Sequence, residues 1–101
     1  MSVLLQIDFP FAGPFGDEMT AGFRDLAATI NDEPGFIWKV WTEHAGRQEA
    51  GGIYLFTDEA SAQAYLHKHT QRLQGFGVSG IQAKIFQVND TLSVLNNAQL
   101  G

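Results

Sequence analysis

From Val3 to Phe9, large apolar side chains (Val3, Leu5, Ile7, Phe9) alternate with Leu4, Gln6 and Asp8, a period of two that predicts a strand. Pro10, Gly13, Pro14 and Gly16 then break regular structure, and Asp17 and Glu18 put acid where a helix N-terminus favours it. Met19, Phe23, Leu26 and Ile30 fall on one helical stripe, opposite Asp17, Arg24, Asp25 and Ala28. An amphipathic helix is predicted, ending before Pro34-Gly35. Two stretches rich in aromatic and β-branched residues follow, Gly35 to His44 and Ala50 to Thr57, joined by the polar residues 45–49, and together they predict a hairpin. A second helix is expected over residues 58–74. Thr57 or Asp58 can cap it, Asp58 and Glu59 charge its first turn, and His67, Lys68 and Arg72 lie towards its C-terminus. Gly75, Gly77 and Gly80 form a connection, and alternation from Ile81 to Val88 predicts a fourth strand.

The order β-α-β-β-α-β is the split-βαβ or ferredoxin-like arrangement of the α+β class, an antiparallel sheet with both helices on one face. A single domain over residues 1–101 is expected, with no internal linker or repeat. Strict alternation assigns Val3, Leu5, Ile7, Phe36, Trp38 and Val40 to the helix-covered face, and with them Ile53, Leu55, Ile81, Ala83 and Ile85. The opposite face then carries Ile37, Trp41, Tyr54, Phe56 and Phe86, with Leu4 and Val88 and with Gln6, Asp8, Lys39, Glu43 and Lys84 among them. Two helices cannot cover both faces, and such a patch exceeds what monomers usually expose. A homodimer through that sheet face is expected, with the apolar tail from Asp90 to Gly101 clasping the partner.

Composition sharpens this picture. Only 17% of residues are Asp, Glu, Lys or Arg, against roughly 25% in a typical soluble protein, so part of the surface is expected to be covered. The formal charge of -5 and the lack of a basic cluster argue against nucleic acid as a partner. With no Cys, thiolate catalysis and Cys-ligated metals are excluded. The N-terminus lacks the pattern of a secretory signal, and no apolar run is long enough for a membrane span. A cytoplasmic protein without a membrane association is expected.

Candidate chemistry is sparse. Gly75-Phe76-Gly77-Val78-Ser79-Gly80 reads G-x-G-x-x-G, but it follows a helix and precedes a strand, the reverse of what a dinucleotide site requires, so a helix C-cap and loop is expected. Asn89-Asp90-Thr91 is a glycosylation sequon without a secretory context. His67 and His69 point about 200° apart on a helix and cannot share a metal ion. The pairs Asp17-Glu18, Asp32-Glu33 and Asp58-Glu59 fall at helix ends as caps and solvated turns. His69 lies on the apolar stripe of Ala62, Leu66 and Leu73, either as a satisfied core residue or as a general base or ligand partner held against the sheet. The 12% aromatic content suits a pocket for a planar ligand, with Phe23, Trp38 and Tyr65 as its walls.

The strings Glu33 to Glu43 (EPGFIWKVWTE) and Glu49 to Leu73 (EAGGIYLFTDEASAQAYLHKHTQRL), with GPFGD at 13–17, closely resemble the YdhR family of monooxygenases over essentially the whole chain. The resemblance implies the dimeric α+β barrel superfamily, whose antibiotic-biosynthesis and quinol monooxygenases oxidise polycyclic phenols or quinols with molecular oxygen and no metal, flavin or haem. It therefore implies a cofactor-independent monooxygenase acting on a small aromatic molecule. Such a reaction needs a pocket that desolvates a flat aromatic and a base that helps form an electron-rich anion. Phe23, Trp38 and Tyr65 are the candidates for the pocket and His69 for the base. The alternatives are a carrier or sensor of small aromatic ligands and, from haem-degrading members of the superfamily, haem ligation by His69.

Overall fold

A computed structural model describes residues 2–101. The elements run β1 (Val3–Pro10), α1 (Gly16–Ile30), β2 (Phe36–His44), β3 (Glu49–Phe56), α2 (Glu59–Gly75), β4 (Gln82–Gln87) and α3 (Asp90–Leu95). The strands form one antiparallel sheet in the order β2-β3-β1-β4, the ferredoxin-like arrangement expected from the element order. The short α3 is an addition to that expectation. Its signal is Asn89, whose side chain accepts from the Leu92 N–H and so caps the helix start.

The principal helices are held at their ends as their sequences require. Asp58 caps α2, its carboxylate accepting from the Ser61 backbone N–H at 2.7 Å. That bond, with those from Thr57 and Ser61 hydroxyls, holds the Asp58 carboxyl below its usual pKa. α1 has no side-chain cap of its own; the Gly16 N–H instead donates to Glu43 of β2 at 2.8 Å, tying the helix start to the sheet. α2 stops in a two-bond turn, with the Val78 N–H donating to the Leu73 carbonyl and the Gly77 N–H to that of Gln74. Gly77 supplies the left-handed φ of 87° that this turn needs. The glycine-rich string is thus the C-terminal turn and loop expected from its position.

The core lies between the sheet and the helices. Val3, Leu5 and Ile7 are buried opposite Phe56, Tyr54 and Gly52 respectively, and Ile30, Ala62 and Tyr65 close over them. Here the sheet departs from strict alternation. Between Phe36 and Trp38 the register advances two residues on β2 for one on β3, a bulge that makes Ile37 the extra residue. Each side chain beyond it changes face. Lys39 and Trp41 therefore turn towards the helices, and Trp38 and Val40, expected beneath them, turn outwards. On β3, Tyr54 and Phe56 point inwards and Ile53 and Leu55 outwards, again the reverse of the expectation. Both sets of β3 are apolar, so alternation could not choose between them, and pairing with β1 does.

The outer face is consequently not the patch of Ile37, Trp41, Tyr54, Phe56 and Phe86. Tyr54 and Phe56 are buried in the helix-side core. The tail begins beside β1, where Ser2 Oγ donates to Asp90, and returns to β2, where Trp38 Nε1 donates to the Gln99 carbonyl at 2.6 Å. It must cross β3 on the way, and Leu55 on that face is wholly buried. The tail thus packs on its own chain, while Val40, Phe86, Leu92, Val94 and Leu95 remain exposed. No helix among the described residues is long and apolar enough to cross a membrane.

Candidate functional site

Between α1, α2 and the sheet lies a cavity of about 340 Å³. Its floor is Ile7, Gly52 and Tyr54. One wall is an aromatic ladder in which Phe11 meets Phe9 edge-on at 6.0 Å and Phe23 at 6.2 Å, and Phe23 stacks on Trp41 at 6.0 Å. His69 and Leu73 of α2 form the opposite wall, and the turn after α2 adds Phe76 and Val78. This volume is within the range of small-molecule sites, and the lining is overwhelmingly apolar.

Lys39, Tyr54 and His69 are the titratable side chains that line it. Lys39 lies with its Nζ 3.2 Å from the centre of the Trp41 ring and 4.7 Å from that of Tyr54. Gly52 makes this position available, because a Cβ there would come within 2.6 Å of the Lys39 Cε. Burial, with the Arg72 charge adding to it, lowers the ammonium pKa to about 7. No carboxylate among the described residues pairs with it; the ion pairs present are Arg47 with Glu49 and Lys68 with Glu33. The indole face attracts the amine when it is charged.

His69 is buried, and its ring stacks on Tyr65 at 5.1 Å. Arg72, one turn along the same helix face, approaches His69 Nδ1 with Nε at 3.3 Å and a terminal nitrogen at 3.0 Å. A guanidinium can only donate, so Nδ1 accepts and the neutral ring carries its proton on Nε2. Burial foremost, and then the charges of Lys39 and Arg72, hold the His69 pKa at about 3. The imidazole is therefore a neutral donor. Tyr65 donates to the Tyr54 hydroxyl at 3.4 Å, and burial raises the pKa of both phenols.

Of the residues singled out in the sequence, Phe23 and His69 line the cavity, and Tyr65 backs it as the ring stacked on His69. Trp38 stands on the outer face, bonded to the tail, and Trp41 occupies the corresponding place in the wall. Lys39, Tyr54 and Arg72 were not anticipated. Two signals bear on them: Gly51-Gly52 within a strand marks close approach, and Arg72 follows His69 by one helical turn. Among the described residues no three His, Cys, Asp or Glu side chains group to hold a metal ion.

The fold is shared with proteins of low sequence identity. A mutant of SnoaB, a cofactor-independent oxygenase from Streptomyces nogalater, superposes with a TM-score of 0.61 at 18% identity, over 87% of this chain and 93% of that one. NE2512, a protein of unknown function from Nitrosomonas europaea, gives 0.61 at 20% identity, over 87% and 89% of the respective chains. At these identities the likeness is one of fold. No curated protein matches the sequence. The family described as "Putative mono-oxygenase ydhR" matches residues 4–99, nearly end to end, and the chain belongs to that family.

Proposed function

We propose that this protein is a cofactor-independent monooxygenase that oxidises a small phenol- or quinol-type aromatic compound with molecular oxygen. The observation that carries the reading is the cavity itself: apolar and aromatic walls around Lys39, Tyr54 and His69. A flat ring packs against the aromatic wall that Phe11, Phe23 and Trp41 form, and its hydroxyl oxygen meets the polar groups. Removal from water strengthens each electrostatic contact to that oxygen. His69 Nε2–H supplies a donor that stays uncharged through the neutral range, so it stabilises an oxyanion without competing for its proton. Membership of a mono-oxygenase family and the fold shared with a cofactor-independent oxygenase support the reaction class.

The test is oxygen uptake by the purified protein with a panel of naphthols and hydroquinones. Uptake above the uncatalysed rate is expected, and it should fall at least tenfold in a Phe23→Ala/Trp41→Ala double variant, which removes the ring wall. Tight binding of the panel without uptake would reduce the protein to a carrier.

The same reading includes a homodimer through the outer sheet face, now built on Val40, Phe86 and the exposed Leu92, Val94 and Leu95 in place of Trp41, Tyr54 and Phe56. A second copy supplies the self-complementary apolar surface that a twofold contact needs. Phe86→Lys should shift sedimentation towards the monomer while leaving the far-ultraviolet spectrum intact. An unchanged sedimentation profile would remove that face from the interface.

A further inference from the structure

We infer that Lys39, and not His69, takes the proton of the bound hydroxyl, so that the cavity holds its aromatic ligand as the oxyanion. The inference rests on the proposed function above, and names the proton acceptor and the ionic form of the ligand for that same cavity.

The polar groups facing the cavity come from three elements: Lys39 from β2, Tyr54 from β3 and His69 from α2, with Tyr65 and Arg72 of α2 behind them. α1 contributes Met19, Phe23 and Leu26, and β1 contributes Ile7 and Phe9, none of which titrates. Tyr54 and Tyr65 are pushed by burial towards the protonated phenol, so neither accepts a proton from a ligand hydroxyl. The basic nitrogen of His69, Nδ1, is already committed to Arg72, which leaves the ring as a donor through Nε2. Arg72 has no lone pair to offer. What remains is the Lys39 amine. Burial brings its pKa to about 7, so near neutral pH a substantial share is the free base, beside an indole face that will hold the ammonium once it forms.

The step balances without a further reactant. The hydroxyl O–H bond breaks, its electron pair stays on oxygen, and the proton passes to the Lys39 nitrogen, giving an ammonium beside an aryl oxyanion. The oxyanion in turn relieves the repulsion between Lys39 and Arg72, two cations for which the cavity provides no carboxylate. Ligand ionisation and amine protonation therefore favour each other. A chain with a formal charge of -5 thus encloses an anion site in its interior.

The probe is 1-naphthol, whose neutral and ionised forms absorb differently, at a pH where the free compound is mostly un-ionised and Lys39 mostly free base. Binding to the wild-type protein should produce the ionised spectrum, raise the ionisation constant of the probe at least tenfold, and release no net proton to the solution. Lys39→Met should bind the neutral form, with oxygen uptake reduced about 100-fold or more. Lys39→Arg preserves the positive charge but not the acceptor, so the ionised probe should form with release of about one proton per molecule bound. His69→Gln, which keeps a donor, should retain the ionised spectrum. An undiminished ionised spectrum in Lys39→Met, or a neutral spectrum in the wild-type protein, would overturn the inference. Lys39-dependent ionisation without oxygen uptake on any phenol would instead overturn the monooxygenase reading and leave the proton acceptor standing.

Discussion

The two faces of the sheet are made of similar residues and finished in different ways. On the helix side, Leu5, Ile7, Tyr54 and Phe56 are sealed under α1 and α2, and the space left between helices and sheet is a cavity with Lys39 and His69 at its edge. On the outer side, Leu55 is as deeply buried as Phe56, yet a tail segment passes over it and a hydrogen bond from Trp38 holds the far end. Between the helices and the sheet a volume is left where the small residues Gly22 and Gly52 stand. Polar groups follow the same division. The helix face encloses them in a low dielectric where their proton affinities shift, and the outer face leaves Lys84 and Gln82 exposed.

Substitutions can strain this contrast from either side. The largest effect is expected from Phe56→Ala, which deletes a ring with no exposed surface and should cost about 3–5 kcal/mol in chemical denaturation. A loss under 1 kcal/mol would mean that the helix face is not the main core. Next comes the acid side of the stability curve. The folded His69 pKa of about 3 lies below the unfolded value near 6.5, so the unfolded chain takes up the proton first. Stability should therefore fall as pH drops from about 6.5 towards 3, and His69→Gln should flatten that fall. An identical slope in the variant would show that His69 is not buried in the neutral form. Trp38→Phe removes the donor to the Gln99 carbonyl and should cost about 0.5–1.5 kcal/mol, with faster exchange of tail amides by hydrogen exchange. If the cost matched that of Phe56→Ala, the outer face would be a second core. The smallest effect is expected from Val40→Ala, which is half exposed on the outer face and should alter monomer stability by no more than about 0.5 kcal/mol.

Much of the architecture is legible in the sequence because it is local. Alternation in β1, the stripe of Met19, Phe23, Leu26 and Ile30, the Asp58 cap and the glycine turn after α2 each depend on neighbours within a few residues. The element order followed from these. The helical stripes also marked Phe23 and His69, both of which line the cavity. The assignment of faces on β2 and β3 did not follow, and with it went Trp38 as a cavity wall and the sheet patch of Trp41, Tyr54 and Phe56. Lys39 was placed on the wrong side of the sheet for the same reason, although it sits between two tryptophans in plain view.

Local patterning along the chain suffices for the set of elements, their order and the family to which their strings correspond. These are short-range properties, and family strings carry them together. Which side chains share the cavity depends instead on long-range strand pairing. One extra residue at Ile37 inverts β2 from Trp38 onwards, the pairing of β3 with β1 chooses Tyr54 over Ile53, and both are settled by hydrogen bonds between distant parts of the chain. The protonation chemistry depends on that choice, because Lys39, Arg72 and His69 acquire their proton affinities from burial and from one another.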